Sequence, residues 1–187
     1  MPRMFVAVIP PHPVAEDLDE FMSVRRSAAG RDDGWRWTLP DQWHLTLAFL
    51  ENVPDRAYDE LCERLEAAAG RHTAPLTRVV GGGAVADPDR ARVLFAGVDG
   101  SYDDVSRASR NAAAVAGMAV DGQRFRPHLT LARLGRPTNV TRWVRVLDSY
   151  TGPPWTPTEL SLVESHLGEG PRRRPRYEVR ETFPLGS

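Results

Sequence analysis

Two copies of one pentapeptide carry the residues best suited to chemistry. His44-Leu45-Thr46-Leu47-Ala48 and His128-Leu129-Thr130-Leu131-Ala132 both read HLTLA, and together they use two of the five histidines. Each copy is a short run of apolar and β-branched residues, the composition of a strand. Side chains along a strand alternate between faces, so His44 and Thr46 point one way while Leu45 and Leu47 point the other. His128 and Thr130 stand against Leu129 and Leu131 in the same manner. A lone histidine on an apolar strand is ordinarily a hydrogen-bonded structural residue. A core asks for a repeated Leu-x-Leu, but it gives no reason to repeat His-x-Thr on the opposite face. Two imidazoles and two hydroxyls facing each other across a cleft suit acid–base chemistry on a phosphate.

The elements that must position these residues follow from pattern. Met4 to Ile9 reads as a buried strand stopped by Pro10 and Pro11. Val14 to Ala28 carries Leu18, Phe21, Met22 and Val24 at helical spacing, with His12 in the preceding turn and Gly30 as the stop. Trp35-Arg36-Trp37 is a short alternation ahead of the first HLTLA. Pro54 opens a second helix, ended by Gly70, in which Cys62 reads as a packed structural thiol. Leu76 to Val85 and Arg92 to Val98 are strands joined at Asp87-Pro88-Asp89. Gly81-Gly82-Gly83 is followed by neither Lys-Ser/Thr nor a helix, so it reads as a strand bulge or close backbone approach, not a phosphate loop. Ser101 to Met118 is a third helix with Ser101 as its cap. Asn139 to Leu147 is a short helix, and Leu160 to His166 and Arg176 to Phe183 are the last strands.

The two parts of the chain can be laid against each other. Phe5-Val6-Ala7-Val8 and Phe95-Ala96-Gly97-Val98 each precede a helix and then an HLTLA strand. Leu76-Thr77 and Leu160-Ser161 each follow their histidine at an offset of 32 residues. The spacing predicts an internal duplication, roughly 3–85 and 92–184, within one bilobal domain spanning 1–187. Short strands separated by helices and hairpins favour an α+β fold of antiparallel sheets with helices packed outside and a central cleft.

Composition narrows the setting. A hydrophobic share of 41% and a charged share of 26% fit an ordinary globular chain. The net charge is −1, so no global field attracts nucleic acid and any anion binding must be local. All 24 basic residues are arginine, whose planar fork grips phosphate bidentately. The single cysteine excludes an internal disulfide. No stretch approaches the ~18 consecutive apolar residues of a membrane span. The apolar run near the N-terminus is too short for a signal peptide, so a cytoplasmic location is expected.

Paired H-x-T motifs within the frame MFVAVI, HLTLAFL, RVLFAGV and FRPHLTLAR resemble the 2H phosphoesterase superfamily, in particular the RNA 2′,3′-cyclic phosphodiesterases of the LigT/ThpR type, also called 2′-5′ RNA ligases. The resemblance covers nearly the whole chain. It implies a bilobal, pseudo-two-fold α+β fold and chemistry without metal or other cofactor. It implies opening of a terminal 2′,3′-cyclic phosphate to a 2′-phosphate, with reversible 2′-5′ ligation in some members. The implied partners are RNA ends, tRNA fragments among them, or nucleoside 2′,3′-cyclic phosphates, bound by a monomer. Family analogy makes His44 the proton donor and His128 the acceptor, although the motifs themselves are symmetric. Thr46 and Thr130 can hydrogen-bond the non-bridging oxygens. No Asp, Glu or Cys accompanies either motif, which argues against a zinc site of three or four protein ligands.

Phe49 and Arg133 each stand five residues after a histidine, and the resemblance implies that they reach the terminal nucleotide. Strict alternation turns them away, so that role requires a bulge or the strand's end. Otherwise Phe49 belongs to the core and Arg133 to a surface ion pair. The family often continues Phe-Leu with Gly, where this chain has Glu51, a change expected to alter a loop only. Arg172-Arg173-Arg174, in the loop from Glu169 to Pro175, reads either as a solvated hairpin loop or as a hold on RNA backbone. Unperturbed imidazoles titrate near ~6.5, which predicts a bell-shaped rate profile around that pH. Two other functions fit the same residues. One is a 2H phosphodiesterase on a small cyclic nucleotide or 2′-5′ oligonucleotide. The other is a non-catalytic nucleotide- or RNA-binding module, against which the intact His-Thr pairs count.

Overall fold

The computed structural model describes residues 1–29 and 34–187. The helix stop expected at Gly30 lies outside them. Strand β1 (Arg3–Val8) is buried along almost its whole length, as its unbroken apolar run requires of a central strand. Helix α1 (His12–Ala29) starts at His12 itself, so that residue opens the helix instead of sitting in a turn before it. Pro13 is tolerated there because the first helical turn has no internal partner for its amide position. The chain continues through β2 (Trp35–Trp37), β3 (Leu45–Leu50), α2 (Asp55–Gly70), β4 (Arg78–Val85) and β5 (Ala91–Asp99). It then runs through α3 (Asp103–Val115), β6 (His128–Thr138), α4 (Thr141–Asp148), β7 (Glu159–His166) and β8 (Arg176–Pro184).

Helix α3 begins later than the Ser101 cap would place it. Tyr102 occupies the N-cap with no side-chain cap bond. Its ring is buried, and its hydroxyl shares a 2.5 Å hydrogen bond with Thr77 Oγ1. Tertiary anchoring of Tyr102 therefore sets the helix start, where a serine cap worth about 1 kcal/mol does not.

All strands pair antiparallel, in the order β4-β5-β6-β3-β1-β7-β8, with β2 added on β6. The two halves of this sheet have matching order: β3-β1-β7 on one side and β6-β5-β4 on the other. They meet through the two HLTLA strands at one residue pair, Leu45 opposite Leu129. The third strand of each half is exchanged, since β4 pairs with β5 and β7 with β1. Helices α2 and α3 pack on each other and against β8 and β3, while α4 packs on β4. On that second side Phe21 of α1 meets the Tyr150 ring, and the Tyr150 hydroxyl donates to Asp17 at 2.7 Å. The spatial halves are thus not the sequence halves.

Leu45, Leu47, Leu129 and Leu131 all lie in the main core. Burying each contributes roughly 1.5–3 kcal/mol, so the join between the halves is held by the same leucines that orient the histidines. The glycine run does bulge: the β4–β5 register shifts between Val79 and Gly82, and Gly81 has φ +66°. A Cβ on Gly83 would lie 2.6 Å from the Phe95 ring, and one on Gly82 would strike Leu147 of α4. No helix among the described residues is long and apolar enough to cross a membrane.

Candidate active site

Both histidines are held in the same way. His44 Nδ1 lies 2.8 Å from the carbonyl of Gln42, and His128 Nδ1 lies 2.7 Å from the carbonyl of Arg126. Each acceptor stands two residues before its histidine. A carbonyl only accepts, so Nδ1 carries the hydrogen in both rings and Nε2 is left as the nitrogen that exchanges protons. The rings are also packed alike. His44 stacks on Phe5 with centroids 4.4 Å apart, and His128 leans on Phe95 at 5.0 Å. Phe5 and Phe95 hold corresponding places in the two FVAV-like strands. Tyr177 of β8 meets His44 edge-on at 5.3 Å and Phe5 edge-on at 5.2 Å, so the three rings form one cluster.

The strands do not alternate strictly. Opposite β1, the register shifts so that Val6 pairs with Ala48 and Ala7 with Thr46, which leaves Leu47 as the extra residue of a bulge. Opposite β5, Leu94 pairs with Ala132 and Phe95 with Thr130, leaving Leu131 extra at the same motif position. Leu47 and Ala48 are both buried, as are Leu131 and Ala132, and the next residue in each strand is turned back to the histidine's face. The carbonyls of the bulged leucines are satisfied from outside the ladder. The Ser106 hydroxyl donates to Leu47 at 2.7 Å, and the Thr38 amide donates to Leu131 at 2.8 Å. Phe49 and Arg133 consequently face the cleft. Phe49 is half-buried against the Phe5, Ala7 and Val163 cluster instead of in the main core, and among the described residues Arg133 takes part in no ion pair.

The cleft contains a cavity of about 700 Å³. His44, Thr46, Phe49 and Arg133 line it, together with Phe5, Tyr177 and the Arg172–Arg174 loop. His128 and Thr130 lie beyond this lining, on the β6 side of the join, but His128 is near enough for its charge to weigh on His44. The Arg3 guanidinium sits over the Phe49 ring at 5.1 Å.

Burial pushes the His44 imidazole down from the ordinary value to about 4, more than the Gln42 carbonyl raises it, and the Arg133 and His128 cations push the same way. Burial also lowers His128, with Arg126 and Arg133 adding to the effect against the pull of the Arg126 carbonyl. Both rings are therefore neutral near pH 7. The profile centred near ~6.5 assumed unperturbed imidazoles, and burial removes that assumption.

The sequence pattern did not reveal Phe5, Phe95, Tyr177, Ser106 or Arg3. Only the Phe5–Phe95 correspondence left a trace, in the matching strands before each helix. Among the described residues, Glu164, His166 and Glu178 form a group with metal-ligand atoms close together. They lie on the face of the β7–β8 hairpin opposite Ser165 and Tyr177, which point to the cleft. Their carboxylates are already engaged, Glu164 by Arg180 at 2.7 Å and Glu178 by Arg176 at 3.3 Å. Among the described residues no carboxylate lines the cavity beside His44.

Known proteins share this arrangement at several levels. The family pattern described as LigT like Phosphoesterase matches residues 9–95 and 103–172. An RNA 2′,3′-cyclic phosphodiesterase of Aeropyrum pernix is 31% identical over 151 residues, covering 76% of this chain and 85% of that protein. One from Geobacillus stearothermophilus is 27% identical over 154 residues and 80% of this chain, which spans about half (47%) of that relative's length. The crystal structure of TT0787 from Thermus thermophilus superposes with a TM-score of 0.76 at 28% identity, covering 99% of each chain. E. coli LigT complexed with 3′-AMP shares the fold, with a TM-score of 0.74 at 24% identity over 100% of this chain and 99% of that one. Both histidine strands fall inside the matched pattern, and the chain belongs to the LigT-like phosphoesterases.

Proposed function

We propose that the chain is an RNA 2′,3′-cyclic phosphodiesterase that opens a terminal 2′,3′-cyclic phosphate to a 2′-phosphomonoester by two-histidine acid–base catalysis. The observation that carries this reading is the matched anchoring of His44 and His128, each with Nδ1–H tied to a carbonyl and Nε2 free for proton exchange. Hydrolysis of the ring proceeds by in-line displacement, with entering and leaving oxygens on opposite sides of phosphorus. His128 Nε2 takes a proton from water as the water oxygen bonds to phosphorus. The bond from phosphorus to O3′ breaks, and His44 Nε2 delivers its proton to that oxygen. Thr46 and Thr130 donate to the non-bridging oxygens, whose charge grows in the transition state.

The depressed pKa of His44 suits the donor's part. An imidazolium that is a strong acid transfers its proton readily, and the phosphate anion supplies the field that charges the ring on binding. Phe49, beneath Arg3, offers the terminal base a stacking face, and Arg133 offers its guanidinium. Among the described residues the proposed donor set is two imidazoles and two hydroxyls without carboxylate or thiol, which supports a metal-independent reaction. The same reading takes the enzyme to be monomeric and cytoplasmic. With a 5′-hydroxyl in place of water as the attacking group, the same residues would open the ring onto that oxygen, breaking the bond from phosphorus to O3′, protonating O3′ and leaving a 2′-5′ bond.

The test is an RNA ending in 2′,3′-cyclic phosphate, incubated with and without EDTA, with the product resolved as 2′- or 3′-phosphate. The expected product is the 2′-phosphate at equal rates in both samples. Activity that vanishes in EDTA and returns with a divalent ion refutes the mechanism. Turnover confined to small cyclic nucleotides reassigns the substrate, and binding without turnover leaves only a binding module.

A further inference from the structure

Six arginines line the cavity, namely Arg3, Arg36, Arg133, Arg172, Arg173 and Arg174, and among the described residues no Asp or Glu lines it with them. Among the described residues none of the six takes part in an ion pair. The chain as a whole carries −1, so positive charge has been gathered here out of a nearly balanced sequence. A cyclic phosphate diester brings one negative charge. The cleft is built for more.

Two details locate the surplus. Arg36 of β2 is the direct cross-strand partner of Arg133 of β6. Like charges directly opposite on neighbouring strands destabilise a sheet, and among the described residues neither of these two has a carboxylate partner. The Arg172–Arg174 loop forms another part of the same wall. Gln42, two residues before His44, donates from Nε2 to the Pro175 carbonyl at 2.6 Å, which pins the loop to the lip of the cleft. Arg172 and Arg173 are both held in the left-handed region, φ 54° and 60°, a conformation that side chains with a Cβ avoid. A repelling pair and a strained, pinned cationic loop share one cavity. An anion between them would neutralise the pair and engage the loop together.

We infer that Arg36 and Arg133, with the Arg172–Arg174 loop, form a second phosphate site beside the histidines, for the phosphate on the 5′ oxygen of the terminal nucleoside. That group is the next phosphate along an RNA chain, or the 5′-phosphate of a free nucleotide. The assignment rests on the proposed function only for the occupant of the first site.

Calorimetric binding without turnover tests it, using adenosine 3′-phosphate, adenosine 3′,5′-bisphosphate and the dinucleotide ApAp with a 3′-terminal phosphate. One added charge-assisted phosphate contact predicts at least ~10-fold tighter binding of the bisphosphate or the dinucleotide than of the monophosphate. Arg36→Gln should shrink that gap to about 2-fold. It should also raise the melting temperature of the free protein, because it removes a like-charge partner. Changing Arg172, Arg173 and Arg174 together to Gln should narrow the gap and flatten its salt dependence. A gap for ApAp assigns the site to an RNA chain, and a gap for the bisphosphate alone assigns it to a free nucleotide; either supports the site. No gap in the wild type, a gap untouched by both variants, or equal loss of all three ligands with a lower melting temperature overturns it. A chain that fails to hydrolyse any cyclic phosphate yet keeps the gap refutes the proposed reaction and not the second site.

Discussion

Replacing His44 by Gln should make the protein less sensitive to acid. The imidazole titrates near 6.5 in an unfolded chain and at about 4 in the fold, where burial opposes its charge. Between those values the unfolded chain binds a proton that the native protein refuses, so native stability falls as pH drops from 6.5 towards 4. Each unit of difference is worth about 1.4 kcal/mol, which sums to about 3 kcal/mol by pH 4. That is a large part of the ~5–15 kcal/mol that holds a typical domain. Glutamine does not titrate, so the variant lacks this contribution while every other acid-sensitive group remains common to both proteins. Urea unfolding at pH 7.5 and at pH 4 gives the four free energies needed. The difference between wild type and variant should shift by about 3 kcal/mol in the variant's favour on going to pH 4. An anion should reverse the effect, and sulfate, which does not titrate in this range, should bind wild type with proton uptake at pH 5.5 and bind the variant with less. A wild-type-to-variant difference that is the same at both pH values would show that His44 is not held neutral by burial, and the case for a donor charged by its substrate would fall with it.

Further expectations follow from the same geometry. His44→Ala and His128→Ala should each lower kcat by ~10²–10⁴ without unfolding the chain, as loss of one general acid or base does, and near-normal turnover in either would end the two-histidine mechanism. The pH optimum of kcat/KM should lie on the acid side of ~6.5 because both free imidazoles are depressed, while kcat should hold to higher pH because bound phosphate raises the donor; coincident profiles centred at ~6.5 would contradict the burial of both rings. Ser106→Ala should cost about 1–3 kcal/mol by stranding the Leu47 carbonyl, and it should raise KM through the relaxed Phe49 more than it changes proton transfer. Stability loss with unchanged kinetics would mean that the bulge does not depend on Ser106.

Several features of the site were legible in the sequence. The repeat singled out His44, Thr46, His128 and Thr130, of which the first two line the cavity and the other two lie beyond its lining, and period-two alternation put each pair on the face opposite its leucines. Alternation then failed at the next step, since it assigned Phe49 and Arg133 to the wrong face. A signal existed at that point. Leu47-Ala48-Phe49-Leu50 is an unbroken apolar run, and two adjacent inward residues are what a bulge produces. The partner that satisfies the bulge, Ser106, is 59 residues from Leu47 and belongs to a helix whose serine looks like any other in sequence. The imidazole pKa values were not legible either, because they depend on how much water the folded cleft admits.

The duplication expected from the sequence reads more simply than the structure, because β4 and β7 are exchanged between the two halves of the sheet. A repeat in sequence fixes which elements follow one another and leaves open which of them pair. Had each half closed on itself, the two histidines would sit on separate lobes joined by one residue pair, Leu45 with Leu129. That single pair could not hold the two imidazoles in register. With β4 lent to one half and β7 to the other, the chain crosses the join repeatedly, and the leucines behind both histidines share one core. Interior packing is close to that of a crystal and does not deform smoothly. The relation between His44 and His128 is therefore fixed by the core itself, which is the condition that the proposed in-line displacement, with an acid and a base on opposite sides of phosphorus, would require.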